Sequence, residues 1–258
     1  MKKYNKVVIM VSLFTSLSFW QFAPKANNEN QTFRSLQTQV PLIELYTSEG
    51  CSSCPPADRW LSSLNDSDGL WEQYVPVAFH VDYWNQLGWD DPFSSKEYSQ
   101  RQRRYAAEFG ETTVYTPGVR KAGFEWRKWR SSPTSLEHTE TFSGENVGIL
   151  SLTINDDDTF LANFDQDHLG SSKNYQLTIA LLGMDLTTKV ERGENHGKTL
   201  NHDFVVLATS TLASTEQNQW VGSLPETNLT APQYAVAAWI SKNGSQIPIQ
   251  AVGGNLTQ

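Results

Sequence analysis

Beyond about Glu145 the chain shows no helical spacing, and this constrains its fold more than any other feature. The stretches Gly148–Ile154, Phe160–Phe164 and Tyr175–Leu182 alternate or run apolar at strand length, as do Phe204–Leu207 and Tyr234–Ile240. Asn155–Asp158 and Lys242–Gly244 carry turn residues suited to hairpins. A chain that repeats this pattern buries its apolar faces by stacking one sheet on another. Residues 145–258 are therefore expected to form an all-β, sandwich-like domain.

Residues 41–144 read differently. Pro41–Thr47 and Val75–Val81 are short apolar runs of buried-strand length. Between them Ala57, Trp60, Leu61 and Leu64 share one helical face, and Asn65–Gly69 ends that helix. Ser94 and Glu97 have capping-box spacing ahead of Tyr98, Gln102, Tyr105, Ala106 and Phe109, with Gly110 as a stop. This β-α-β-α order predicts an α/β layer.

Residues 1–26 start with Lys2, Lys3 and Lys6 and continue with an apolar stretch from Val7 to Ala23, the order of a secretory signal peptide. An uncleaved membrane anchor is the alternative; otherwise no stable membrane insertion is expected. Residues 27–40 read as a linker. Removing the first 26 residues takes away four Lys and no acid, so the net charge of −8 becomes −12. Such a balance excludes a general nucleic-acid binder, which needs a basic footprint. A periplasmic or secreted location follows, and with it an oxidising surrounding for the two cysteines.

Those cysteines, Cys51 and Cys54, stand between a strand and a helix. A thiolate at a helix N-terminus is stabilised by free N–H groups and the macrodipole, so the strand–CxxC–helix order suits a redox-active dithiol. A permanent structural disulfide and half of a zinc site are the competing readings. Thr116-Pro117 is a second anchor: in thioredoxin-like folds a cis proline faces the CxxC, and X-Pro is the peptide bond that is cheap in cis. Thr116 then offers its backbone to a substrate peptide in a groove shaped by Pro117. An ordinary trans turn is the alternative.

The stretch Glu44–Asp58, which contains the cysteines, resembles the opening motif of domain-of-unknown-function family 1223, secreted thioredoxin-like bacterial proteins. The resemblance continues at His80–Trp84, Leu87–Trp89, Asp91–Ser95, Arg101-Gln102, Tyr105 and Val114–Pro117, and returns at Arg192–Asn195 with Gly197 and Leu200. It implies an α/β thioredoxin-like domain (41–144) ahead of the all-β one, export, and no defined substrate. Two departures stand out. Pro55 and Pro56 remove two N–H groups from the first helical turn and bias Cys54 toward extended backbone. Gly118–Gly123 is less apolar than a buried strand and reads as an exposed or edge strand.

The chemistry expected is that of an exported thiol–disulfide oxidoreductase acting on an unidentified protein thiol or disulfide. Cys51, the more exposed and reactive thiol, attacks; Cys54 resolves. Glu49 and His80 are candidate tuning groups, Glu49 raising the thiol pKa. A non-catalytic binding or assembly protein with a permanent disulfide is the alternative, and a soft-metal or copper-handling protein using His80 with the cysteines a further one. The favoured reading assigns no metal and no cofactor: no Gly-rich phosphate loop, G-x-S-x-G or H-E-x-x-H occurs. Asp82, Asp90 and Asp91 lie just after the second strand, and the plainer reading makes His80 a hydrogen-bonded strand residue and Asp82 a turn residue. Tyr83, Trp84, Trp89 and Phe93 read as a lid, a docking surface or a self-packed loop. The eight Lys or Arg between Arg101 and Arg130 read as a solvated face or a site for an acidic partner. Asp156–Asp158 lacks calcium-loop spacing. The polar Glu191–Asn195 stretch, with His196 and His202, is a loop that contacts the first domain, a ligand or neither.

Overall fold

The structure, a computed structural model, describes residues 30–130, 146–166, 174–213 and 217–257. The signal-peptide segment 1–26 and the expected domain boundary at 144 and 145 lie outside them.

The strands and helices follow the chain in this order: β1 (Gln31–Arg34), β2 (Leu42–Thr47), α1 (Pro55–Ser62), β3 (Val75–His80), α2 (Lys96–Glu108), β4 (Gly118–Lys121), β5 (Phe124–Glu125), β6 (Ile149–Ile154) and β7 (Thr159–Asp165). There follow β8 (Tyr175–Met184), β9 (Leu186–Lys189), β10 (Thr199–His202), β11 (Val205–Leu212), β12 (Gln219–Ser223), β13 (Gln233–Lys242) and β14 (Pro248–Asn255). Strand predominates, at 44% against 17% helix. Eight strands form one sheet in the order β14-β13-β8-β11-β3-β2-β4-β5. Four more form a second sheet, β1-β6-β7-β12, and β10-β9 is a separate ribbon.

This overturns the expectation of an α/β thioredoxin-like domain followed by an all-β domain. The strands after residue 145 complete the same sheet that holds β2 and β3. The seam is β11, which lies parallel to β3 with Val205 opposite Ala78, and the Phe204 carbonyl accepts from the Ala78 N–H at 2.8 Å. One core crosses it: Leu42, Leu45 and Phe79 cluster with Ala180, Leu182, Trp239 and Ala251. Local periodicity could not show this, because a strand's apolar face does not reveal which sheet it joins.

A sandwich does form. Leu150, Leu152, Phe160, Ala162 and Trp220 on the small sheet pack against Leu177, Ile179, Val236, Ala238 and Val252 on the large one. Each such large side chain contributes about 1.5–3 kcal/mol by burial. Residues 31–34, expected as linker, pair with β6 from Gln31 opposite Ile154 to Arg34 opposite Ser151. Asn155–Asp158 and Lys242–Gly244 make the turns of the β6–β7 and β13–β14 hairpins, with Asp158 and Gly244 at positive φ. Helix α2 is capped by Ser95, one residue later than the spacing suggested; its Oγ accepts from the Glu97 N–H at 3.1 Å. β4 lies between β2 and the two-residue edge strand β5. Among the described residues no helix is long and apolar enough to cross a membrane.

Candidate functional site

Strand β2 ends at Thr47, and the chain turns through Ser48–Gly50 into the cysteines. The Cys51 N–H donates to Ser48 O at 3.1 Å and the Cys54 N–H to Cys51 O at 3.2 Å, so two successive turns lead into α1. Cys54 is the helix N-cap, at φ −78° and ψ −38°. The extended backbone expected ahead of Pro55 is absent. The Cys54 carbonyl instead accepts from the Ala57 and Asp58 N–H groups at 2.8 and 3.1 Å, bonds that offset the steric preference of a pre-proline residue. Cys51 and Cys54 form a disulfide with Cα atoms 5.4 Å apart.

Both cysteines are fully buried, at 0% exposure, which corrects the expectation of an exposed Cys51. The polar loop after β9 is bonded to the main chain of this turn. Asn195, itself buried, donates from Nδ2 to Glu49 O at 2.8 Å and to Cys51 O at 2.9 Å. Glu194 Oε2 accepts from the Ser52 N–H at 2.9 Å. Gly50 lies against Trp84, whose Cβ is 3.1 Å from where a side chain would begin. Trp84 Nε1 in turn donates to Thr116 Oγ1 at 2.8 Å, tying the cysteine loop to the Thr116–Pro117 segment. That peptide bond is cis. Gln102 on α2 holds the same segment by donating from Nε2 to Tyr115 O at 2.7 Å, and its Oε1 accepts from Tyr83 OH at 3.1 Å.

An ionisable cluster lies in the same region. His80 Nδ1 and Asp91 Oδ2 are 2.7 Å apart, and both side chains are at 0% exposure. Asp91 also accepts from the Glu49 and Phe93 N–H groups, at 2.9 and 3.0 Å. Glu49 is engaged by Trp89 Nε1 at 2.8 Å and His202 Nε2 at 3.1 Å. The His80 and His202 rings cross at 5.0 Å between centroids, with Phe93 against both. Asp58, one turn beyond Cys54, accepts from Thr47 Oγ1 at 2.7 Å. Two atoms of the cluster, Asp58 Oδ2 and His80 Nε2, are buried without a partner.

The charges respond to this setting. Burial pushes the Asp58 carboxyl above its usual range, although His202 and His80 pull it back. Burial also lowers His80, but the charge and hydrogen bond of Asp91, with Asp58 and Glu49 behind them, win and raise it. Burial raises Asp91, yet the His80 charge and its own three hydrogen bonds hold it below the ordinary value. Among the described residues no three His, Cys, Asp or Glu side chains are grouped to hold a metal ion.

The two sequence-selected tuning groups, Glu49 and His80, therefore belong to one cluster, and Thr116 with Pro117 is linked to the cysteine loop through Trp84. Asp91, in the loop between β3 and α2, and His202, at the end of β10, complete the cluster. Asp82 accepts from Ser99 Oγ, and Asp90 is an exposed residue. Sequence reasoning missed Asp58, although an acid on the apolar face begun by Ala57 was a signal. For the loop carrying Glu194 and Asn195 it offers contact with the first domain as one reading, and the bonds to Glu49, Cys51 and Ser52 are such a contact.

A sequence model of a family described as protein of unknown function (DUF1223) matches residues 42–241. No curated protein matches the chain. In architecture it is similar to a crystallised protein from Agrobacterium tumefaciens, at 24% identity and TM-score 0.57 over 86% of this chain and 96% of that one. It is also similar to HBP35 of Porphyromonas gingivalis, at 16% identity and TM-score 0.55 over 85% of this chain and 76% of that one. At these identities both likenesses concern the fold alone.

Proposed function

The chain belongs to the DUF1223 family, and on that premise we propose that it is an exported protein exchanging thiols and disulfides with a protein partner through Cys51 and Cys54. One observation carries the reading: unpartnered buried Asp58 Oδ2 and His80 Nε2 in the cluster that adjoins the disulfide loop. Each such atom costs about 1–3 kcal/mol. A three-residue loop closure confers little stability by chain entropy, so a merely structural bond gives no reason to retain that cost beside it.

In the reducing direction the Cys51 thiolate attacks a partner disulfide, giving a mixed disulfide and releasing one partner thiolate. The Cys54 thiolate then attacks Cys51 Sγ, which reforms the internal disulfide and releases the second partner thiolate. Two electrons pass to the partner, and the oxidising direction reverses each step. Asp58 accepts the proton lost by the second thiol. Thr116 and Pro117 shape the docking groove. Because both cysteines are covered, a partner gains access when the Glu194–Asn195 clamp opens.

That same burial favours a second reading, a binding protein with a permanent disulfide. Equilibration against glutathione or dithiothreitol buffers separates the two. A potential between about −120 and −270 mV fits exchange, whereas one below about −300 mV assigns the bond to structure. Cys54→Ser then traps the mixed disulfide with the partner. N-terminal sequencing of the protein from its host tests export, with residues 1–26 expected to be missing.

A further inference from the structure

On the inner face of the large sheet the apolar row continues beyond the sandwich core. Alternate residues of β8 share that face, so Leu177, Ile179 and Leu181 form one row. Leu177 and Ile179 are buried against the small sheet, whereas Leu181 is only half-buried. On β13, Val236 lies opposite Leu181, and Tyr234, the next residue on that side, is half-buried too. The space beside Gly183, the next position of the β8 row, is filled by Leu186 and Leu207, which belong to a second apolar group with Phe93 and Val205. Between the two groups opens a cleft of about 820 Å3, lined by Leu181, by Leu224 and Leu256 from the first group's flank, and by Leu229 and Tyr234 from the second's. Its lining includes no residue of the cysteine loop. Main-chain bonds fix its walls: the Leu224 N–H donates to Asp158 O at 2.8 Å, the Leu256 N–H to Tyr234 O at 2.9 Å, and the Ala231 N–H to Tyr234 OH at 3.0 Å.

The rim of this cleft carries charge of one sign. Asp156, Asp157 and Asp158 in the β6–β7 turn and Glu226 between β12 and β13 line it and are exposed, and among the described residues no Lys, Arg or His does so. Asp157 is spent locally, accepting from the Thr159 N–H and hydroxyl at 3.1 and 2.5 Å. We infer that the cleft binds a short basic and apolar peptide segment of a partner protein, with an apolar side chain on Leu181 and Lys or Arg head groups at the rim. A half-exposed apolar floor offers burial to the first, and low-dielectric walls under one sign of charge focus the field on the second. Long basic side chains can satisfy both, their stems on the leucines and their charges in water. Size favours a peptide over a bare cation. The volume lies within the range of about 300–1,000 Å3 of ordinary ligand pockets, and at about 30 Å3 per water it equals roughly 27 waters, more than a simple amine fills. Nor are the carboxylates grouped to hold a metal ion.

Isothermal titration calorimetry of the folded, oxidised protein at about 150 mM salt tests this, with the end-blocked tetrapeptide Leu-Lys-Leu-Lys as the probe. Saturable one-to-one binding is expected. Blocked Leu-Glu-Leu-Glu, which reverses the charge, and blocked Ser-Lys-Ser-Lys, which lacks the apolar body, should bind at least about tenfold more weakly. Asp156→Asn combined with Glu226→Gln, both at exposed positions, should weaken the probe about tenfold, the scale of two rim ion pairs. Asp66→Asn with Asp68→Asn removes the same charge from exposed positions outside the lining and should leave the affinity unchanged. Absent saturation, equal binding of either control peptide, spermidine binding as tightly as the probe, an unchanged affinity in the rim variant, or an equal loss in both double variants overturns the assignment.

Discussion

Replacing Asn195 by Ala tests whether the loop after β9 controls the disulfide. The side chain donates two buried bonds to main-chain carbonyls, and its Oδ1 accepts one from Lys198 Nζ at 2.8 Å. The Cys51 carbonyl keeps a second donor, the Cys54 N–H. The Glu49 carbonyl does not, and an orphaned buried acceptor costs about 1–3 kcal/mol, with about 0.5–1.5 more for the second lost bond. Together these predict a loss of about 2–4 kcal/mol in urea denaturation. Part of it falls on local opening of the clamp. If about 2 kcal/mol does, dithiothreitol should reduce the folded variant about thirtyfold faster than wild type, since 1.4 kcal/mol is a factor of ten. Lys198→Met, which keeps both carbonyl bonds, should change either quantity little. The reasoning fails if Asn195→Ala loses stability while its reduction rate stays within about twofold of wild type. Unchanged stability refutes the bond accounting itself.

The His80–Asp91 pair predicts a pH profile. His80 is raised, so its contribution is complete below the unfolded value of about 6.5 and is lost as pH climbs through the raised folded value. Asp91 is lowered, so its contribution is complete above about 3.9 and is lost as pH falls through the lowered one. Asp58 is raised, so its cost grows as pH rises above the unfolded value of about 3.9 and levels off once the folded carboxyl ionises. The urea midpoint should therefore decline above about pH 6.5, by at most about 1.4 kcal/mol per pH unit for each proton, and His80→Gln should flatten it; a flat wild-type profile contradicts the pairing. Glu44→Gln leaves the buried Arg101 charge without its counterion and should cost about 3–5 kcal/mol by denaturant titration, whereas a loss below about 1 kcal/mol would show the charge to be solvated. Gly148 has φ +111° and its missing Cβ would sit 2.3 Å from the Asp165 carbonyl, so Gly148→Ala should lower the thermal midpoint by several degrees, and an unchanged midpoint would discount that approach.

What the sequence determined by itself was local. Apolar runs marked β2, β3, β6, β7, β8 and β13, because burial on a pleated surface writes its own pattern. Turn chemistry marked Asn155–Asp158 and Lys242–Gly244. Cys51 and Cys54, three residues apart ahead of a helix, were legible as a bonded pair. Six strands left too little pattern: β1, β5, β9, β10 and β12 are short, and β14 carries Gly253 and Gly254 near its end, which leave room for Trp71 and Phe33. Tertiary structure alone decided that β11 sits beside β3, joining both halves of the chain in one sheet. It also decided that Asn195 reaches back 144 residues to the Cys51 carbonyl, and that Asp58, His80, Asp91, Glu49 and His202 form one cluster. Side-chain periodicity records only whether a face is buried. Which partner buries it depends on strand register and loop closure across the whole chain, and those are settled when the fold forms.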